Sequence, residues 1–157
     1  MKKIAVLSDT HDILRPQVLD LASSCDAVIH AGDFTNESVL DALRNVSNVY
    51  VVKGNNDRDW ARRLQKRLRF EIEGFHFFLT HIRSDVDTNL DGIDIVIFGH
   101  THKYSEQWID GRLWLNPGAC GRPRFGNELT MAILTLEEST HTLEVEKIHV
   151  PNENFFY

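Results

Sequence analysis

Residues 4–11 read Ile4-Ala5-Val6-Leu7-Ser8-Asp9-Thr10-His11. The consecutive apolar side chains at the start suit a short buried strand. The run then stops abruptly on hydroxyl, carboxylate and imidazole groups. Pro16 follows where a first helical turn tolerates it, with Val18, Leu19 and Ala22 at helical spacing behind it. A strand, a polar turn and a helix in that order open an α/β fold. In such folds sites form outside the carboxyl ends of strands.

The rest of the chain continues the pattern. Residues 27–29 predict a second buried strand, and Asn36 predicts the N-cap of a helix through Val39, Leu40 and Leu43. Residues 49–52 predict a third strand that Gly54 breaks, and residues 59–66 read as a polar helix. Strands at 68–72 and 75–79 flank Glu73-Gly74, a hairpin signal. Residues 93–98 predict another strand, and 107–109 and 113–115 flank Asp110-Gly111, the strongest hairpin signal in the chain. Residues 129–136 and 142–148 predict a closing antiparallel pair. No linker or repeat interrupts this, so residues 1–157 read as one α/β domain, parallel early and antiparallel late.

Composition narrows the function. Seventeen Lys and Arg stand against 23 Asp and Glu, a formal net charge of −6. That argues against stable nucleic-acid binding through a broad basic surface. It leaves room for a small phosphate-bearing substrate at a local positive site. No stretch approaches 18 apolar residues, so no membrane segment is expected. Cys25 and Cys120 stand far apart in no metal or redox spacing, which fits free thiols and a cytoplasmic location.

The chemistry lies at the predicted strand ends. The first strand runs into Asp9-Thr10-His11, the second into His30-Ala31-Gly32-Asp33 and the third into Gly54-Asn55-Asn56-Asp57. Later strands end at Thr80-His81 and at Gly99-His100-Thr101-His102. Singly each cluster is weak: an Asp after a strand is usually a turn-former, and His30 alone reads as a satisfied buried histidine. Together they fall at the same edge of one predicted sheet. The set offers His11, His81, His100 and His102, the carboxylates Asp9 and Asp33, and the Asn55 amide oxygen, with no thiolate. Mixed nitrogen and oxygen ligands suit Mn²⁺, Fe, Ni²⁺ or Zn²⁺ rather than a structural zinc site. Seven ligands exceed one tetrahedral site and suit two ions sharing a carboxylate.

The ordered motifs Asp9-x-His11, Gly32-Asp33, Gly54-Asn55, His81 and Gly99-His100-Thr101-His102 resemble those of the calcineurin-like metallophosphoesterases. The short length and Asn116-Pro117-Gly118 resemble the small, single-domain prokaryotic phosphodiesterase branch. The resemblance implies two packed mixed β-sheets flanked by helices, a four-layer α/β/β/α sandwich. It implies that Asp9, His11 and His102 hold one divalent ion, that Asn55, His81 and His100 hold a second, and that Asp33 bridges them. Two divalent ions, Mn²⁺ foremost, would then supply a bridging hydroxide that attacks phosphorus in line, with Asp33, His81 and Asn56 assigned to the reaction. Two such ions outweigh the Asp9 and Asp33 charges, so an acidic protein still attracts an anionic ester. The competing reading is an inactive scaffold on the same fold.

Three positions depart from the family pattern. Asn56 stands where a histidine usually follows the metal-binding Asn. An amide donates a hydrogen bond but cannot protonate a leaving group, so esters with good leaving groups and diesters are expected to react best. Asp12 and Ile82 stand where relatives often carry glycine, and Ile82 does not readily take φ > 0, so its loop is expected to follow a different path. Arg58, Arg62, Arg63, Lys66, Arg67 and Arg69 crowd the stretch after the third motif, as a solvated face or as a positive lip that steers substrate. Arg122 and Arg124 are further candidates for phosphate contact. Trp60, Trp108 and Trp114 read as packing residues. The terminal Phe155-Phe156-Tyr157 reads as docking on the body or as a homodimer contact.

Overall fold

The computed structural model describes residues 1–57, 61–123 and 128–151. Its elements run β1 (Lys2–Leu7), α1 (Pro16–Ser23), β2 (Ala27–His30), α2 (Glu37–Val46), β3 (Asn48–Val51), β4 (Arg67–Ile72) and β5 (Phe75–Thr80). A 3₁₀ turn at Arg83–Asp85 follows, then β6 (Ile95–Ile97), β7 (Ser105–Ile109), β8 (Arg112–Asn116), β9 (Thr130–Glu137) and β10 (Thr142–His149). The strands form two five-stranded mixed sheets, ordered β10-β9-β1-β2-β3 and β4-β5-β6-β8-β7.

The apolar runs are explained by burial on both faces. In β1, Ile4 and Val6 face the layer between the sheets, where they join Ile29, Phe77, Leu79, Ile95, Ile97, Leu113 and Leu115. Ala5 and Leu7 point the other way, against Val18, Ala22, Leu40 and Leu43 of the two helices. The second sheet repeats this: Phe78 and Val96 face outward under Leu90, Ile93 and Phe98. With a side-chain period of two, a strand in the middle of such a stack can place no polar residue before its end. Helices cover the first sheet; over the second, among the described residues, lies the irregular 82–94 segment with its single 3₁₀ turn. That segment is rich in Ser, Asp and Asn, which compete with a helix for backbone hydrogen bonds.

Local signals read correctly. Pro16 opens α1, and the Asn36 side chain accepts from Ser38 N at 3.0 Å at the start of α2. Glu73-Gly74 and Asp110-Gly111 form two-residue hairpin turns with positive φ at all four positions. Ile82, expected to force a different loop path, sits in ordinary extended backbone with φ −110°.

Other expectations need correction. The early-parallel, late-antiparallel pattern is too simple, because β5, β6 and β8 are parallel and each sheet mixes both kinds of pairing. The motif-bearing strand ends belong to two sheets rather than one. The helix expected over 59–66 does not form across its described part, where residues 61–66 make turns. Trp108 is 59% exposed on an edge strand, so it lies outside the core, on the β7–β8 hairpin opposite Leu113. Trp114 packs against Phe98 and under the Arg83 guanidinium. The readings placed on Arg58, Trp60, Arg124 and Phe155-Phe156-Tyr157 lie outside the described residues.

Register positions the candidate site. Leu7 pairs with His30 and His30 with Val51, so the carboxyl ends of β1, β2 and β3 line up. In the second sheet Leu79 pairs with Ile97 and Ile97 with Leu115, aligning the ends of β5, β6 and β8.

Candidate metal centre

The loops that leave these strand ends carry all the ligand candidates, and hydrogen bonds tie the two sheets together there. Asp9 N donates to the Gly32 carbonyl at 3.0 Å, and His11 N donates to the Asp33 carbonyl at 2.8 Å. His100 N crosses from the second sheet to Asp9 Oδ2 at 3.0 Å, and His81 Nδ1 crosses to the Ala31 carbonyl at 2.8 Å. The glycines of the motifs permit this close approach. A Cβ on Gly54 would collide with the Asp33 carboxylate, and one on Gly99 would collide with the Ser8 hydroxyl.

Two groups of ligand atoms result. Asp9, His11 and His102, all buried, place one ligand atom each within 4.8 Å of one another, and so do Asp33, His81 and the exposed His100. His81 Nε2 lies 3.3 Å from Asp33 Oδ2 and 3.9 Å from Asp9 Oδ1, which makes it a neighbour of both groups. Asn55 joins the second group through its amide. Its side-chain oxygen faces only acceptors, and the amide turned over would put nitrogen 3.0 Å from His81 Nε2 and 3.1 Å from Asp33 Oδ2.

The backbone is unusual at these positions. Asp9, His11, Asp33, His100 and His102 all adopt left-handed φ, between 51° and 75°. Each costs an L-residue conformational energy and persists only where its surroundings over-determine it. Thr35, at φ 51°, is a still rarer case because its side chain is β-branched.

Much of that determination comes from a residue to which the sequence reading gave no role. The Asp57 carboxylate accepts from four backbone N–H groups: Asp33 at 2.9 Å, Phe34 at 3.0 Å, Thr35 at 2.8 Å and Gly54 at 2.7 Å. In sequence it is indistinguishable from a turn-forming Asp. Asn116 acts similarly in the second sheet, donating to the Gly99 carbonyl at 3.1 Å and to Thr101 Oγ1 at 3.0 Å. Asn56 turns toward Asp33, with its backbone N 2.9 Å from Oδ1 and its Nδ2 2.9 Å from Oδ2.

Electrostatics follow from these partners. Burial would raise the Asp33 pKa, but hydrogen bonding and charge from His81, with Asn56 behind them, hold it far below the ordinary carboxylate value. Asp9 is likewise held low against its burial by His102, His81 and Ser8. His81 shifts upward, because the two carboxylates outweigh its burial. His30 is fully buried and is lowered to about 3. Gly32 N donates to its Nδ1 at 3.0 Å, so the neutral ring donates from Nε2 to Thr10 Oγ1, also at 3.0 Å. It is a structural support for the loops, as its sequence context suggested.

The donor set fits divalent cations. Asp9 Oδ1 and His102 Nδ1 are buried without hydrogen-bond partners among the described residues. The end of the Asn55 amide lies 3.0 Å from His81 Nε2 and 3.1 Å and 3.3 Å from the Asp33 oxygens, which also accept from Asn56. Because Nδ1 of His81 is committed to the Ala31 carbonyl, Nε2 is the ring nitrogen that faces Asp33 and would face a cation. Two groups of imidazole and carboxylate ligand atoms gathered this closely are what a metal ligand set looks like.

Around the rim, the basic cluster divides. Arg67 and Arg69 lie 3.6 Å and 3.0 Å from the Asp87 carboxylate, and Lys66 lies 3.5 Å from Asp85. Arg62 and Arg63 are exposed, and Arg122 pairs with Asp12 at 3.4 Å. Among the described residues no helix is long and apolar enough to cross a membrane.

Known proteins resemble this chain in sequence and fold. The sequence profile of the calcineurin-like phosphoesterase superfamily domain matches residues 1–139. A phosphodiesterase of Methanocaldococcus jannaschii is 30% identical over 75% of this chain and 84% of its own length. The solved structure of an archaeal phosphodiesterase superposes with a TM-score of 0.76 at 28% identity, over 93% of this chain and 99% of that one. Vps29 of Chaetomium thermophilum superposes with a TM-score of 0.75 at 15% identity, over 98% and 100% of the two chains, and shares the fold alone.

Proposed function

The chain belongs to the calcineurin-like phosphoesterase superfamily, and from that premise we propose that it is a binuclear metal-dependent phosphodiesterase formed by a single domain of residues 1–157. Asp9, His11 and His102 would hold one divalent ion, and Asn55, His81 and His100 the other, with Asp33 shared. The observation that carries this reading is the gathering of Asp9, His11 and His102, and of Asp33, His81 and His100, into two groups whose ligand atoms lie within 4.8 Å of one another. Two bound ions would supply an acidified water and charge neutralisation for the phosphoryl oxygens. Mn²⁺ is the ion proposed, and Fe, Ni²⁺ and Zn²⁺ also suit such mixed oxygen and nitrogen ligands. Free Cys25 and Cys120 fit the reducing cytoplasm.

The protein's own residues prepare the site. Asn56 grips both Asp33 oxygens, which sets the orientation of the bridging carboxylate. Ala31 fixes the His81 tautomer, and Ser8 and His100 N orient Asp9 Oδ2. With Asn56 engaged in this way and unable to protonate a leaving group, aryl diesters should react faster than alkyl monoesters by a factor on the order of 10² or more.

A protein-binding scaffold is the competing reading, suggested by the Vps29 fold. One assay separates the two: turnover of an aryl phosphodiester with Mn²⁺ supplied, with chelator, and with Asp33→Asn. The phosphodiesterase loses turnover under both treatments. Turnover that survives either refutes the binuclear reading, and no turnover with any metal favours the scaffold.

A further inference from the structure

A cavity of about 240 Å³ opens beside the candidate ligands Asn55 and His81, and the remainder of its lining includes Lys53, Lys66, Ile82 and Asp85. Its size equals the liquid volume of about eight waters. That is below the range that holds a whole drug-sized ligand and suits one aryl or sugar-sized group. A phosphodiester centred on the two metal groups needs a place for each of its two ester arms, and this cavity borders the centre directly.

The charge of the cavity is the informative part. Lys53 is half-buried, and its ammonium has no ion-pair partner among the described residues. Lys66 shares the single lining carboxylate, Asp85, with Arg67: the two nitrogens lie 3.5 Å and 3.8 Å from the same Oδ1. Two ammonium groups therefore face less than one available carboxylate, while Ile82 supplies an apolar wall. A second cavity, of about 250 Å³, borders the centre at His102 and is lined by Lys103 and Lys147 with one carboxylate, Glu128, and without an aliphatic side chain. There Glu128 takes both Lys147 and His149 at 2.7 Å, and Lys147 sits over the Tyr104 ring.

We infer that the cavity lined by Lys53, Lys66 and Ile82 is a subsite for a compact ester arm that carries its own negative charge, so the preferred substrate is a phosphodiester with a second anionic group on one arm. This inference rests on the proposed phosphodiesterase reading. The Ile82 side chain packs the body of the arm, and the lysines neutralise its acid group.

Two probes differing only in that charge test it: p-nitrophenyl phenyl phosphate, and the same diester with a meta-carboxylate on the phenyl ring. The nitrophenolate leaves in both, so the bond broken is the same. The carboxylated diester should show kcat/KM about tenfold higher at low ionic strength, with an advantage that fades in salt. Lys53→Gln and Lys66→Gln should each erode the preference and together abolish it, while Lys103→Gln at the other cavity retains it. In parallel, calorimetry on the chelated protein compares phenyl phosphate with its meta-carboxylate, which should bind at least about fivefold tighter in the wild type only. Equal kcat/KM and equal Kd for the paired probes, or a preference that survives the double variant, overturns the subsite. Absence of turnover with every metal overturns the phosphodiesterase reading instead, and the calorimetric comparison then decides the subsite by itself.

Discussion

Left-handed backbone occurs at two ends of this molecule for different reasons. At the hairpins, Glu73 and Asp110 take φ of 52° and 51°, each followed by a glycine with positive φ. The turn is short, exposed and self-contained, and its twist matches the strands it joins. At the candidate metal centre, Asp9, His11, Asp33, Thr35, His100 and His102 take the same conformation. There the support is long-range: Gly32 and Asp33 carbonyls for Asp9 and His11, and Asp57 for the loop that holds Asp33 and Thr35. A two-residue turn holds its own strain, whereas the centre depends on partners tens of residues away. Strain with distant support is the kind associated with function.

The sharpest way to break this comparison is to remove Asp57. Asp57→Ala strands four backbone N–H groups, so chemical denaturation should show a loss of about 3 kcal/mol. Metal affinity, followed by Mn²⁺ titration, should fall by about 10–100-fold because Asp33 and Gly54 lose their common anchor. Unchanged stability would mean that the left-handed loop supports itself as the hairpins do.

Next in size is the acid response of His30, which supports Gly32 and Thr10 from beneath the centre. Its folded pKa of about 3 lies below the unfolded value near 6.5. The unfolded chain therefore binds the extra proton, and the stability is complete above pH 6.5 and is lost as pH falls toward 3. At pH 5 the loss should be about 2 kcal/mol relative to neutral pH. In chelated protein His81, with its raised pKa, acts with the opposite sign, so the measurement is the difference in unfolding free energy between wild type and His30→Asn across pH 7 to 4. An asparagine retains an acceptor for Gly32 N and does not titrate. Parallel pH profiles for the two proteins would count against the assignment.

The smallest effect belongs to the hairpins. Glu73→Asn and Asp110→Asn place a residue better suited to left-handed φ in a turn that already holds itself. Thermal unfolding should change by no more than about 0.5 kcal/mol, in the stabilising direction for Glu73→Asn, with kinetics unaltered. A large loss at either site would erase the distinction between the two ends.

The contrast also accounts for what was readable. The strands, the two hairpins, the Asn36 cap and the identities of the ligand candidates are local: each depends on a few adjacent residues whose chemistry or conformational preference decides the matter. What was not readable has the opposite cause. The partition of strands between two sheets depends on which apolar faces meet across the core. The turns at 61–66 override a polar stretch that looked helical. The pairing of Lys66, Arg67 and Arg69 with Asp85 and Asp87 joins residues about twenty positions apart. Asp57 looks like any turn aspartate until its four donors are seen.

The sequence by itself determined that this is an α/β chain with polar clusters placed at its strand ends, because a strand buried on both faces can carry polar side chains only where it stops. It also determined the chemistry of the candidate ligands, since imidazole, carboxylate and amide oxygen without thiolate specify their own preferences. Only the tertiary structure decided that clusters from two sheets meet, that Asn56 turns toward Asp33, and that Lys53 faces a cavity beside the centre. Each of those outcomes depends on groups far apart in the chain being brought within hydrogen-bonding or Coulombic range, and no local preference encodes that distance.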